Sequence, residues 1–425
     1  MLDLIQLHKD ALTLEAGEDS SRRQALQSLR QYAEQEWDTV PAEVRDSIVT
    51  ALKRLLPILT KQSLAQKSAV TTLGNMGVRA RSAVPQLMEL LHKGVTDAVR
   101  EAAATALGKM GKDAAGAVDQ LLELVADSRP VLTAQAIRAL GAIGCADKRV
   151  RFILANRWRA PAQLQTGDLQ LAIALCKLRI PAQDLLEILT KTLAVNQEAG
   201  YRKAAAEALT WCSPDELDVV PALLSASLGD SCEDVRQMAQ AALDRMGVSH
   251  EQAINLCARQ LGDSSFAETA LKRSGPLAVP ALIEMLRAKD SATRVKAARI
   301  LGFLGEAAAE AGPALVARSQ DKDLEVRLAV VKGLWNVTKT PDVVVPVLAA
   351  LLDGKGERGL EDGETRRRFL QTVMEALGRI GPPAIAAVPA LTALAKDGNR
   401  HIREAALVTR QKIEPTVATQ PGLRR

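Results

Sequence analysis

Apolar residues recur along this chain at helical spacing, in blocks of two alternating kinds. One kind opens on a proline, as in Ala278-Val279-Pro280-Ala281-Leu282, and carries its apolar stripe through Leu282, Ile283 and Leu286. Proline is tolerated only near a helix start, where no backbone donor is lost, so each such block predicts a first helix, A. A polar turn follows, here Ala288-Lys289-Asp290-Ser291, whose Asp and Ser suit the cap of the next helix. The second kind is Ala-rich and runs from an arginine to a pair of glycines, as in Val99-Arg100 through Gly108 and Gly111, and in Arg294 through Gly302 and Gly305. This predicts helix B. Its final Gly suits a positive-φ stop. The earlier Gly, inside the helix, costs about 1 kcal/mol against Ala and therefore reads as a contact point for the adjacent unit.

The two blocks keep a fixed period. Pro280, Pro313 and Pro346 stand 33 residues apart, and Gly77, Gly111 and Gly144 stand 34 and then 33 apart. A helical hairpin repeated at that interval buries its apolar face only against its neighbours, so the chain is expected to be an all-α, quasi-one-dimensional stack. Residues 40–414 hold about eleven units, 1–39 an atypical helical cap, and 415–425, with two prolines and a glycine, a disordered tail. No single domain boundary is visible.

These alternating Pro-marked and Val-Arg-x-x-Ala-Ala-x-x-Leu-Gly segments resemble HEAT repeats, in the Ala-rich form of the bacterial phycobiliprotein-lyase-type subgroup. The likeness is strongest near 78–144, 214–247, 276–340 and 382–405. It implies an α-solenoid, a superhelix of about eleven HEAT-like helical hairpins, acting as a non-catalytic scaffold that holds a protein partner on its concave face. It also implies a buried ladder in which Asp290 pairs with Arg294 and Asp323 with Arg327, with Arg100 and Arg236 at matching positions. The ladder is broken where Thr133 takes the Arg position, and the repeat pattern lapses at Asp119, Thr210 and Trp335. Two rival functions come with the resemblance, a lyase or isomerase module for a tetrapyrrole chromophore and a nucleic-acid-binding protein of the DNA-glycosylase type.

Composition changes the picture little. With 47% hydrophobic but only 2% aromatic residues, the core must be Ala, Leu, Val and Ile, and 55 basic against 50 acidic residues leave a net charge of +5, thin for 425 residues. No run approaches the roughly 18 uninterrupted apolar residues of a membrane helix. Five scattered cysteines, Cys145, Cys176, Cys212, Cys232 and Cys257, fit a reducing compartment, and a cytoplasmic location is expected. His8, His92, His250 and His401 lack the i, i+4 relation of zinc ligands, and no phosphate loop or nucleophile elbow occurs, so no metal, cofactor or catalytic residue is expected.

Two irregularities point to binding. In Lys148–Arg159 five basic residues interleave with Phe152 and Trp158; Arg149, Arg151, Arg157 and Arg159 would meet phosphates or a protein partner while Trp158 stacks on a base, unless Phe152 and Trp158 simply plug the core. Pro346 to Pro389 spans 43 residues, ten more than the preceding steps, and the surplus is a charged, Gly-rich loop at 353–365 followed by Arg366, Arg367 and Arg368. Insertions gather on one edge of a solenoid and often bind.

Overall fold

A computed structural model of the chain describes residues 6, 9–11, 13–14, 19–35, 40–61, 63–92, 94–127, 129–144, 147–159, 161, 165–182, 184–353, 360 and 362–414. Most of the 353–365 insertion, the 415–425 tail, Cys145 and parts of the 1–39 cap lie outside the described residues. The described residues are helical, with no strand among them, and fall into two compact units, Met1–Ser213 and Pro214–Arg425. Each unit is an α-solenoid stack of helical hairpins.

The first unit holds α1 (Asp19–Gln35), α2 (Ala42–Leu55), α3 (Ser63–Asn75), α4 (Val84–Glu89), α5 (Asp97–Met110), α6 (Val118–Val125), α7 (Pro130–Ile143), α8 (Lys148–Arg157), α9 (Thr166–Lys177), α10 (Leu185–Val195) and α11 (Ala199–Leu209). The second holds α12 (Val219–Gly229), α13 (Glu233–Arg245), α14 (His250–Arg259), α15 (Ser265–Ser274), α16 (Val279–Met285), α17 (Ser291–Leu304), α18 (Gly312–Arg318), α19 (Leu324–Thr338), α20 (Pro341–Leu352), α21 (Gly363–Ile380), α22 (Val388–Leu394) and α23 (Arg400–Ile413). B helices pack on B helices, α3 on α5 on α7 on α9 in the first unit and α17 on α19 on α21 on α23 in the second.

The interior glycines explain how closely they pack. A Cβ on Gly302 would stand 2.7 Å from the Cα of Gly333, and one on Gly108 would stand 3.0 Å from the Cα of Ala139. Small residues bring the helix backbones together, and dispersion along that seam recovers what the glycine costs its own helix.

The helix-ending glycines do more than stop a helix. Gly111 and Gly305 adopt φ 61° and 62° with ψ near −135°, the mirror image of extended backbone, which side-chain-bearing residues avoid more strictly than the left-handed helical region. From each, the chain enters a short 3₁₀ turn, Gly111–Ala117 or Gly305–Ala311, before the next helix A begins. Helix A then begins at its proline mark, as at Val279-Pro280 and Gly312-Pro313. Ala114, Ala117, Ala308 and Ala311 are fully buried in these turns, where a larger side chain would push neighbouring turns apart.

The helical run Ser291–Arg318 is long and apolar enough, by composition, to cross a membrane. Its backbone is interrupted at Gly305 and Ala308, and its Arg294 is buried against an aspartate from the following turn. A spanning helix needs an unbroken backbone ladder, so this run is one repeat of the stack. Cys176 and Cys212 bring their sulfurs to 3.7 Å within the first unit, and burial pushes the Cys257 thiol up to about 12.

Candidate binding site

The buried charge in the stack follows one positional rule. The fourth residue of seven B helices is an arginine: Arg100 in α5, Arg202 in α11, Arg236 in α13, Arg294 in α17, Arg327 in α19, Arg366 in α21 and Arg403 in α23, whereas α15 carries Glu268 there. Arg294 Nη1 donates to Ala288 O at 2.9 Å and Lys289 O at 3.0 Å, and Arg202, Arg327 and Arg403 bond the same pair of carbonyls, five and six residues upstream. Arg236 reaches Asp230 O, and Arg100 reaches Leu91 O at 3.0 Å. In α3 the position holds Gln66, whose amide donates to Leu56 O at 3.2 Å. Most of these carbonyls belong to the A–B turn, beyond the last helical residue of helix A, and the guanidinium satisfies them inside the stack.

The acidic half of the ladder differs from the sequence expectation. Arg294 does not take Asp290: its Nε and Nη2 bond both oxygens of Asp321, in the next turn, at 3.0 and 2.9 Å. Asp290 is instead the N-cap of α17 and accepts from Thr293 N at 2.7 Å, and Asp323 likewise caps α19 through Glu325 N at 2.9 Å. A residue four positions before the arginine sits at the helix mouth, where its carboxylate meets free N–H groups before it can turn inward. Asp321 also accepts from Asp323 N at 3.0 Å and is almost fully buried. Burial raises its carboxyl, but the bonds from Arg294 and Asp323 N outweigh that and hold it below the usual range.

Most of the arginines expected to bind partners are already engaged. Arg366 is a ladder residue and pairs with Asp397 at 2.9 Å; Arg367 bonds Glu364 and Gln371, and Arg368 lies 3.5 Å from Glu325. Arg149 bridges Asp119 at 2.9 Å and Asp147 at 2.7 Å, while Arg151 Nη1 donates to Leu178 O at 2.9 Å. Trp158 is 6% exposed and offers no face to a base. The two aromatics divide, because Phe152, in the same segment, is 70% exposed. Arg157 and Arg159 are exposed and have no carboxylate partner among the described residues, Arg159 donating only to Trp158 O at 3.0 Å.

Two consecutive B helices lack an arginine at this position, and a cleft opens beside the first of them. The fourth residue of α7 is Thr133, whose hydroxyl reaches Asp127 O at 3.0 Å, and that of α9 is Leu169. Between these hairpins lies a cleft of about 750 Å³, walled by Leu122, Val125, Ile137, Ile153 and Leu171, with Phe152, Asn156, Arg157 and Arg159 also lining it. A second, smaller groove of about 220 Å³ runs across α3, α5 and α7 and is lined by Lys67, Thr71, Glu101, Thr105, Lys109 and Gln135. Its side chains are cross-linked between repeats: Lys109 Nζ donates to Asn75 Oδ1 at 2.6 Å, Thr105 to Gln135 at 3.2 Å, and Arg138 to Thr105 at 3.3 Å.

Comparison with known proteins finds HEAT repeats in part of the chain. The family model of HEAT repeats matches residues 52–141, 85–161 and 279–360. That model describes HEAT repeats at large and does not single out the lyase-type subgroup. No curated protein matches the chain. Among solved structures, an engineered protein aligns over 96% of this chain and 99% of its own at 19% identity and TM-score 0.32. The karyopherin Kap121p aligns over 96% of this chain and 53% of its own at 12% identity and TM-score 0.40, so this chain spans about half its length. A structure of the cadherin and β-catenin interaction aligns over 98% and 100% at 14% identity and TM-score 0.35.

Proposed function

HEAT repeats build this chain over 52–161 and 279–360, and from that premise we propose that it is a non-catalytic interaction scaffold that holds a protein partner on the face formed by its B helices, the concave face of such a stack. One observation carries the reading. Polar side chains from three successive B helices, Lys67 on α3, Glu101, Thr105 and Lys109 on α5, and Gln135 on α7, line a single groove of small residues. A surface built from the same position of successive repeats can add affinity in small increments over a long contact, and polar groups arranged this way set partner choice more than raw affinity.

The test uses the full chain as bait in its source extract, beside a Lys67→Glu, Lys109→Glu, Arg138→Glu triple variant. The partner recovered by the parent should fall at least tenfold with the variant while both keep the same helical circular-dichroism signal. Equal recovery would remove the B-helix face from the proposal, and a spectral shift on adding a bilin would favour the chromophore-lyase reading instead.

A further inference from the structure

We propose that the cleft between the α6–α7 and α8–α9 hairpins docks an acidic peptide segment of a protein partner, which inserts apolar side chains between the hairpins and sets carboxylates on Arg157 and Arg159. The site is separate from the B-helix face and does not depend on what that face holds.

The cleft has a cause in the sequence. In α7 the small Thr133 stands where α3 has Gln66 and α5 has Arg100, and it lines the cleft of about 750 Å³. That volume lies within the range of ligand sites. Leu122, Ile137, Ile153 and Leu171 supply its walls. Phe152 borders it at 70% exposure, a large apolar surface left in water.

The occupant follows from charge. Arg157 and Arg159 line the cleft with no carboxylate partner among the described residues, in contrast to Arg149 in the same segment, which holds two. The cleft's own acid, Asp168, is turned to Gln165 N at 3.0 Å, where it closes the cap of α9. An aliphatic floor under two unpaired guanidinium groups favours a ligand carrying carboxylates beside apolar side chains, because charge-assisted bonds to arginine orient it while apolar burial supplies affinity. Nucleic acid fits less well: Phe152 is the single aromatic side chain on a lining whose walls are otherwise aliphatic, whereas base stacking uses successive aromatic platforms.

Selection of a random 12-residue peptide phage library on the full chain, with counter-selection on an Ile153→Trp variant that fills the cleft, tests this directly. Enriched peptides should combine Asp or Glu with Leu, Ile, Phe or Trp. Their affinity, read by fluorescence anisotropy, should fall at least tenfold with Arg157→Glu plus Arg159→Glu, two exposed positions whose exchange should leave the helical circular-dichroism signal unchanged, and should be unchanged in the Lys67, Lys109, Arg138 triple variant. The proposal is overturned if no peptide survives counter-selection, if the survivors lack carboxylates, if the arginine exchange leaves binding unchanged, if the triple variant abolishes it, or if a single-stranded oligonucleotide displaces the peptide with the same arginine dependence.

Discussion

Arg294→Ala should destabilise the Pro214–Arg425 unit by about 3–5 kcal/mol, the range for breaking a buried pair and leaving its partner charged. Both partners sit inside the stack, Arg294 at 3% and Asp321 at 6% exposure, and the substitution also strips Ala288 O and Lys289 O of their donor. For a unit of this size that free energy corresponds to a melting-temperature fall of roughly 6–20 °C. Asp290→Ala removes only a helix cap and should cost about 1 kcal/mol. Thermal denaturation followed by circular dichroism separates the two, and equal shifts would sink the assignment of Asp321 as the partner. The pH dependence has a definite sign. Because the folded-state pKa of Asp321 is lowered, its stabilisation is fully present above the unfolded carboxylate value of about 3.9 and is lost as pH falls through the depressed folded value. Arg294→Ala should therefore flatten the acid limb of the stability profile.

Gly302→Ala should reverse the ordinary helix-propensity effect. In an isolated helix the change gains about 1 kcal/mol. In this stack the added Cβ meets the Gly333 Cα at 2.7 Å, a backbone atom that cannot move aside, so α17 and α19 must separate at the seam. Overpacking of this kind costs about 1–3 kcal/mol, which cancels or exceeds the propensity gain. Gly363→Ala is the control, since a methyl added there would meet nothing within 4 Å and the residue begins α21. Chemical denaturation should show Gly302→Ala no more stable than the parent and Gly363→Ala unchanged or slightly stabilised. A stabilised Gly302→Ala would mean the helices do not touch there.

The rungs show where local reading runs out. Arg294 and Arg327 are recognisable as repeat positions, but their partner is not: Asp290 and Asp321 are both acids near a turn, and only the packing of one hairpin on the next decides which one faces inward. Arg202 and Arg403 carry a signal that could have been found, a polar turn four residues earlier, yet they sit in segments whose glycine spacing has drifted. Arg366 reads locally as one of three surface charges, and its role depends on Asp397, 31 residues away. The same holds for Phe152 and Trp158, two aromatics in one helix-and-turn segment that end on opposite sides of the surface.

By itself the sequence determined the helices, their pairing into hairpins and their stacking, because a period of 33–34 residues, helix-starting prolines and helix-ending glycines act through local backbone sterics and through apolar faces that only a neighbouring copy can cover. The tertiary structure alone decided which aspartate receives Arg294, which arginines are left without a carboxylate, and where a cleft opens beside Thr133. Each of those depends on the distance between side chains from different hairpins, and in a repeat chain near-identical segments carry the same local signal whatever faces them.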